Sequence, residues 1–384
     1  MRYSVEAIES EAGFRRLEPE WRELESRLPC IPFVTFDWAD AWWKHLRADS
    51  LAVRDELFLH AVRDEQGALR AVAPMMRTLR PGKGPFRSQQ LHTFGADPNI
   101  TEIRSLVVPE DEPPEVARAL FEHLCRARAR WDWFQLPGVS SEPQLAAVTE
   151  QFGSPRGVRE FPNYYLTLAP SWDEFKKGLS RNIKESLRKC YNAPKRDGVV
   201  FDFDVVRHER DVVGALDSFF QLHERRANVQ DTVPHPNVFS SPASRAFLVE
   251  VCRRFAARGA LRIYQQKIRS SVVATRIGFV CGESIYLYFS GYEPEFGKYS
   301  VMTRTLAEAI QLAISEGFQT VNLSTGKDVS KLRWSPKERT YRDVLVVAPS
   351  TRSELSYHAY DLARRGAGHL KRYSLGRTLL RTSG

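Results

Sequence analysis

Glu283-Ser-Ile-Tyr-Leu-Tyr-Phe-Ser-Gly-Tyr292, the turn Glu293-Pro-Glu-Phe-Gly-Lys298 and the loop Ser324-Thr-Gly-Lys-Asp-Val-Ser-Lys-Leu-Arg-Trp334 frame the stretch that decides the fold. The first run is aromatic and apolar and reads as a buried strand. Proline and glycine then mark a tight turn. A helix is expected from Ser300 to Glu316, and a second strand over Thr320–Leu323. A strand, a short loop and a helix make an anion site, because the first amides of a helix lack internal partners and carry a partial positive charge. Lys331 and Arg333 arrive one strand later and are expected on the same side.

Working outward, the second half reads as helices at Trp172–Ala193, Glu209–Asn228 and Pro242–Arg258. A hairpin of Leu261–Ile268 with Ser271–Val280 follows, then the segment above and a closing strand at Asp343–Ala348. The first half has a similar order. A strand at Tyr3–Ala7 and a helix at Phe14–Leu28 precede the aromatic segment Pro32–Trp43, and Leu57–Val62 with Leu69–Arg77 form a hairpin. Strands near Gln90–Phe94 and Glu102–Val108, a helix at Pro114–Arg128, a strand at Trp131–Leu136, a helix at Pro143–Phe152 and a closing strand at Asn163–Leu168 complete it. Two long copies suggest a duplicated mixed α/β unit rather than a solenoid. The expected division is 1–169, 170–350 and a basic helical tail at 351–384.

A chain of 384 residues, 42% hydrophobic, has room for two domains with real cores. The N-terminus has acids where a signal peptide would be apolar, and no apolar run approaches a membrane span, so a soluble cytoplasmic protein is expected. Its five cysteines are scattered without Cys-x-x-Cys spacing, which argues for reduced thiols and against zinc or a disulfide frame. The net charge of +9 is concentrated late: the last 34 residues hold seven basic side chains and two acids. That tail is expected to be a solvated helix, or a contact for tRNA or another anionic surface.

Six stretches, in this order, carry a family resemblance. They are Pro32-Phe-Val-Thr-Phe-Asp-Trp with Ala41-Trp-Trp, Ala71-Val-Ala-Pro, the basic helix from Ser180-Arg-Asn-Ile-Lys, Leu222-His-Glu-Arg-Arg226, Gly291-Tyr with Tyr299-Ser, and Lys331-Leu-Arg-Trp. The chain resembles GNAT-fold acyltransferases of the tandem-domain FemAB-like and CelD-like branch. It departs from relatives that often place Pro-Gly after Tyr-Ser: here Val301-Met302 follow. It also has no tyrosine between the second strand and Tyr341.

The resemblance implies direct N-acyl transfer, without a covalent enzyme intermediate, from acyl coenzyme A (acetyl-CoA first) to an amine of a small molecule, sugar or peptide. Its rivals are a FemAB-type aminoacyl-tRNA-dependent transferase and a non-catalytic module of an envelope or polysaccharide pathway. It implies catalytic roles for Glu224, Lys331 and Tyr292, and donor contacts from Lys298, Tyr299, Ser300, Val301, Met302 and Arg304. Acceptor contacts fall to Arg181, Arg226, His235, Asn237, Arg333 and Trp334, and no metal is expected. Plainer alternatives stand beside these. Glu224 adjoins Arg225 and Arg226 and suits a surface ion pair, Ser300 is a good helix cap, and Trp334 suits packing. Glu295 and His223 are further base candidates. The polar segments Gln230–Phe239 and Asp97–Glu102 are read as loops reaching the cleft between halves.

Overall fold

The computed structural model describes residues 2–28, 31–84, 87–96, 99–139, 141–229 and 235–380, with side chains as far as Arg365. Cys30, positions 97–98 and 230–234 of the two polar loops, and the basic side chains Lys371, Arg372, Arg377 and Arg381 of the tail lie outside the described residues.

Fourteen strands are described: β1 Ser4–Ile8, β2 Arg54–Leu57, β3 Leu59–Arg63, β4 Leu69–Ala73, β5 Met75–Arg80, β6 Ser88–Thr93, β7 Trp133–Val139, β8 Gly157–Thr167, β9 Asp202–Val206, β10 Leu261–Ile268, β11 Ser271–Cys281, β12 Ser284–Tyr292, β13 Thr320–Thr325 and β14 Lys337–Val347. The helices are α1 Glu11–Arg16, α2 Glu18–Glu25, α3 Phe36–Leu46, α4 Pro114–Arg126, α5 Glu142–Phe152, α6 Trp172–Gly178, α7 Arg181–Arg196, α8 Val212–Ala227, α9 Pro242–Ala257, α10 Val301–Ser315, α11 Val329–Leu332 and α12 Thr351–Leu380.

The mixed α/β reading holds, and the duplication is visible in the sheet. In the first half β5 and β6 are antiparallel and β6 runs parallel to β7 across α4. In the second, β11 and β12 are antiparallel and β12 runs parallel to β13 across α10. These are two similar units in tandem, yet they share one sheet of order β2-β5-β6-β7-β14-β8-β13-β12-β11-β10-β9. The halves exchange their last strands. β8 pairs with β13 of the second half, and β14 returns to pair with β7 of the first. β8 and β14 then pair with each other, from Lys337↔Tyr165 to Leu345↔Gly157. The exchange covers edges that would otherwise present unpaired N–H and C=O groups.

Several local expectations shift for local reasons. The helix expected over Phe14–Leu28 is two helices, because Pro19 lacks an N–H and starts a new one. Trp172–Ala193 likewise divides into α6 and α7, with Ser180 as an extended N-cap between them. The hairpin of 57–77 changes sheet halfway along. β2 and β5 join the large sheet, while β3 and β4 form a small one with β1. Pro74, without a donor, sits at that corner. The strand expected over Glu102–Val108 is irregular apart from one bridge, Val107 to Val72.

The aromatic segment of the first half is buried against the second. Phe33 meets Tyr286 at 5.1 Å edge-on, and Trp38 meets Phe247 at 5.1 Å and Tyr288 at 5.7 Å. Such pairs add about 0.5–1.5 kcal/mol each beyond burial. Around this cluster Asp37 receives Arg22 at 2.7 Å and Arg258 at 2.8 Å, and Asp40 receives Arg254 at 2.7 Å. Among the described tail cations, Arg352 donates to the Arg87 carbonyl, and Arg364 and Arg365 pair with Asp361. Among the described residues no helix is long and apolar enough to cross a membrane.

Expressed separately, residues 1–169 and 170–384 should each aggregate, since each lacks a strand its sheet needs. Co-expressed, they should elute together as a soluble pair in size-exclusion chromatography. A soluble, folded 170–384 monomer by circular dichroism would contradict the exchange.

Candidate active site

β12 and β13 pair for only three residues, Ser284–Tyr286 with Thr320–Asn322. Beyond that they part. β13 carries an irregularity between Asn322 and Thr325, where Ser324 takes a left-handed φ of 74° and donates its N–H to Asn322 Oδ1 at 2.8 Å. Asn322 is itself locked to Asn163 of β8 by paired amide bonds of 2.8 and 3.0 Å. The opening holds a cavity of about 530 Å³ that touches both faces of the sheet. On one face are Ser300, Val301, Met302, Thr303 and Leu306 of the α10 end; on the other are Tyr288, His223 and Arg226.

Ser300 precedes α10 with φ 54° and ψ 43°, so the Val301 and Met302 amides start the helix at the cavity wall. A non-glycine residue in this region costs about 1–3 kcal/mol and tends to persist where function holds it. Lys331 lies on α11, a single turn capped by Asp328, whose carboxylate accepts the Ser330 N–H at 2.7 Å. Its ammonium donates to the Thr325 carbonyl, and burial lowers its pKa while Glu102 opposes that shift. Arg333 donates to the Thr303 hydroxyl, linking this loop to α10.

The first half supplies the acid. Tyr288 donates to the Ile100 carbonyl and Tyr286 donates to Glu102 at 2.6 Å, so β12 itself holds the loop at the gap. Burial raises the Glu102 pKa, against hydrogen bonds from Tyr286 and Ser324 and the charges of Lys331 and Arg276. His223 is stacked on Phe219 and donates from Nδ1 to the Ser290 carbonyl at 3.2 Å; burial holds it below its usual pKa and neutral. Its Nε2 is sealed from solvent.

The residues singled out from sequence fall into two groups. Lys331, Tyr292, Ser300, Val301, Met302, Arg226, His235 and Arg333 all line the cavity. Arg226 lies over the Tyr292 ring at 5.4 Å. The others do not line it. Glu224 is exposed, because on α8 it is His223 and Arg226, three residues apart, that turn inward. Arg181 is exposed and pairs with Glu185 at 2.9 Å. Lys298 is exposed over the buried Tyr299, which packs on Phe201. Arg304 pairs with Glu308 at 3.0 Å and covers Tyr191, tying α10 to α7. Asn237 and Glu295 stand off the wall, and Trp334 is buried in the core with Leu306 and Ile310. Glu102, Arg276 and Ser324 are the additions. Sequence reading brought the Glu102 loop near the cleft but had no means to select its carboxylate.

Cys190 and Cys252 are buried, and burial pushes the Cys190 thiol up to about 12. Neither suits a nucleophile. Among the described residues no cluster of three His, Cys, Asp or Glu could hold a metal.

A helix N-terminus set in a gap between two parallel strands, with a duplicated sheet around it, can be compared with known proteins. Residues 179–332 match the family model for the acetyltransferase (GNAT) domain. The chain has a GNAT-like fold. The crystal structure of FemX superposes with a TM-score of 0.56 at 10% identity, covering 88% of this chain and 96% of that one. A conserved protein of unknown function from Bacteroides thetaiotaomicron superposes at 0.52 and 10% identity, covering 90% of this chain and all of the other. No curated protein sequence matches this one.

Gly291, part of the GNAT-like signature, has a packing reason. A Cβ there would stand 2.5 Å from the His223 backbone nitrogen and 2.7 Å from the Leu222 carbonyl carbon. Gly291→Ala should therefore push α8 off β12 and cost about 1–3 kcal/mol, as overpacking does. Urea denaturation would show it, and an unchanged midpoint would refute the close approach.

Proposed function

We propose that this chain is an N-acyltransferase in which an acyl donor lies at the α10 end of the gap and an amine enters from the opposite face. The observation that carries this reading is Glu102, placed by the first half at an opening walled by the donor-type helix end of the second. Acyl coenzyme A suits the α10 side: free amides at Val301 and Met302 and the cations Lys331 and Arg333 favour phosphate. Met302, in place of glycine, keeps that phosphate off the backbone on one side. The donor supplies an activated thioester.

In the proposed reaction Glu102, as carboxylate, takes the proton of the incoming ammonium. The neutral amine then attacks the thioester carbonyl, and as the C–S bond breaks the coenzyme A sulfur leaves, taking the second proton that the nitrogen sheds in becoming an amide. Lys331, anchored at Thr325, has N–H groups left for the carbonyl oxygen as charge develops there. Tyr286 fixes the Glu102 carboxylate, and burial makes it a stronger base than an exposed glutamate. Holding donor and amine together supplies much of the rate.

Glu102→Gln should lower kcat by about 10²–10⁴-fold while leaving acyl-CoA binding intact, measured by coenzyme A release and by donor-induced thermal shift. Because the Glu102 pKa is raised, wild-type kcat/KM should rise with pH through an acid limb above the ordinary glutamate range. The limb should vanish in the variant. An unchanged kcat and limb would refute the assignment. An aminoacyl-tRNA donor makes the same demands of Glu102, so turnover with it alone would change the donor class and leave the base in place.

A further inference from the structure

Arg276 lies on β11, opposite Tyr264 of β10 and Ser290 of β12, and its side chain forms part of the cavity wall. Its Nε is sealed from solvent, and its guanidinium makes no hydrogen bond or ion pair with any described residue. Other recessed arginines of this fold are matched. Arg22 has Asp37 at 2.7 Å, Arg77 has Glu56 at 2.6 Å, Arg254 has Asp40 at 2.7 Å and Arg262 has Glu316 at 3.0 Å. The two acids nearest in charge to Arg276 are engaged elsewhere, Glu102 by Tyr286 and Asp328 by the Ser330 amide. Desolvation pulls its pKa down to about 10, which still leaves it charged at neutral pH. The wall carries Arg226, Arg276, Lys331 and Arg333 against Glu102 and Asp328, so it has positive charge to spare.

A partly buried guanidinium with no partner among the described residues is costly, and the cost is recovered when an anion arrives. We propose that Arg276, with Lys331 beside it, binds a carboxylate of the substrate next to the reacting centre. This rests on the acyl-transfer reading of the same cavity and narrows its substrate class. The substrate carries a carboxylate on the transferred acyl group or on the amine, as an amino acid does. The planar five-donor fork of arginine matches a carboxylate with two parallel bonds. Phosphates of a donor have the α10 amides instead.

The test compares wild type, Arg276→Gln and Arg276→Lys. Thermal shift with succinate and with L-alanine, against sodium nitrate at equal ionic strength, reads the site without any donor. At least one carboxylate should stabilise wild type saturably, with affinity about 10- to 100-fold weaker in Arg276→Gln and partly kept in Arg276→Lys. Without ligand, Arg276→Gln should melt no lower than wild type, since it sheds a charge that no described residue pairs. Succinyl- against acetyl-coenzyme A, and amino acids against their decarboxylated amines, then assign the carboxylate to donor or acceptor. Equal responses in wild type and Arg276→Gln, no carboxylate response in wild type, or a clearly lower melting point of the unliganded variant would each overturn the proposal. Acetyl-coenzyme A binding that survives any of these outcomes keeps the transferase reading separate.

Discussion

Two parallel strands that share three residues of pairing and then part are the constraint on which the rest depends. Strand β12 cannot follow β13 further, because β13 turns through the left-handed Ser324 while the Asn163–Asn322 pair holds it to β8. A sheet opened this way would lose backbone pairing to no benefit unless the gap were filled from both sides. One side receives the α10 N-terminus. The other receives a loop of the first half, tied down by the hydroxyls of Tyr286 and Tyr288.

The exchange of β8 and β14 places those two sides with respect to each other. Each half completes the other's sheet, and the aromatic packing of Phe33 and Trp38 on β12 fixes how the halves meet. Arg22, Arg254 and Arg258 converge on Asp37 and Asp40 around that packing. The Glu102 carboxylate is thus held against a rigid strand, at a gap whose opposite wall belongs to the other half. Proximity of this kind, rather than an intrinsically reactive group, is what direct acyl transfer needs.

Much of this was legible in the sequence, for identifiable reasons. The segment 283–334 announces itself because strand, turn and helix signals succeed each other within one local stretch, so Ser300, Val301, Met302, Lys331 and Arg333 read as one group from the sequence alone. The two-unit reading followed from the repeated hairpin–helix–strand order. The strand exchange was hidden, since β8 and β14 show the same alternation whichever neighbour they pair with. Glu224 was misplaced by helical phase: one residue along α8 separates a wall position from solvent. Trp334 carries the signature of a binding aromatic and of a core one alike, and its burial beside Leu306 puts it in the core. Glu102 and Arg276 come from an irregular loop and a strand interior, far apart in sequence, and only the fold brings them to one cavity.

The central claim is that acyl donor and amine meet in the gap between β12 and β13, with the first half's loop as part of the wall. Hydrogen–deuterium exchange on adding an acyl-coenzyme A tests it most directly. The account predicts slower exchange in 297–306 and 323–333 together with the loop at 99–106, and little change elsewhere. Protection confined to the outer surface of α6 and α7, with the gap and the 99–106 loop unaffected, would contradict it.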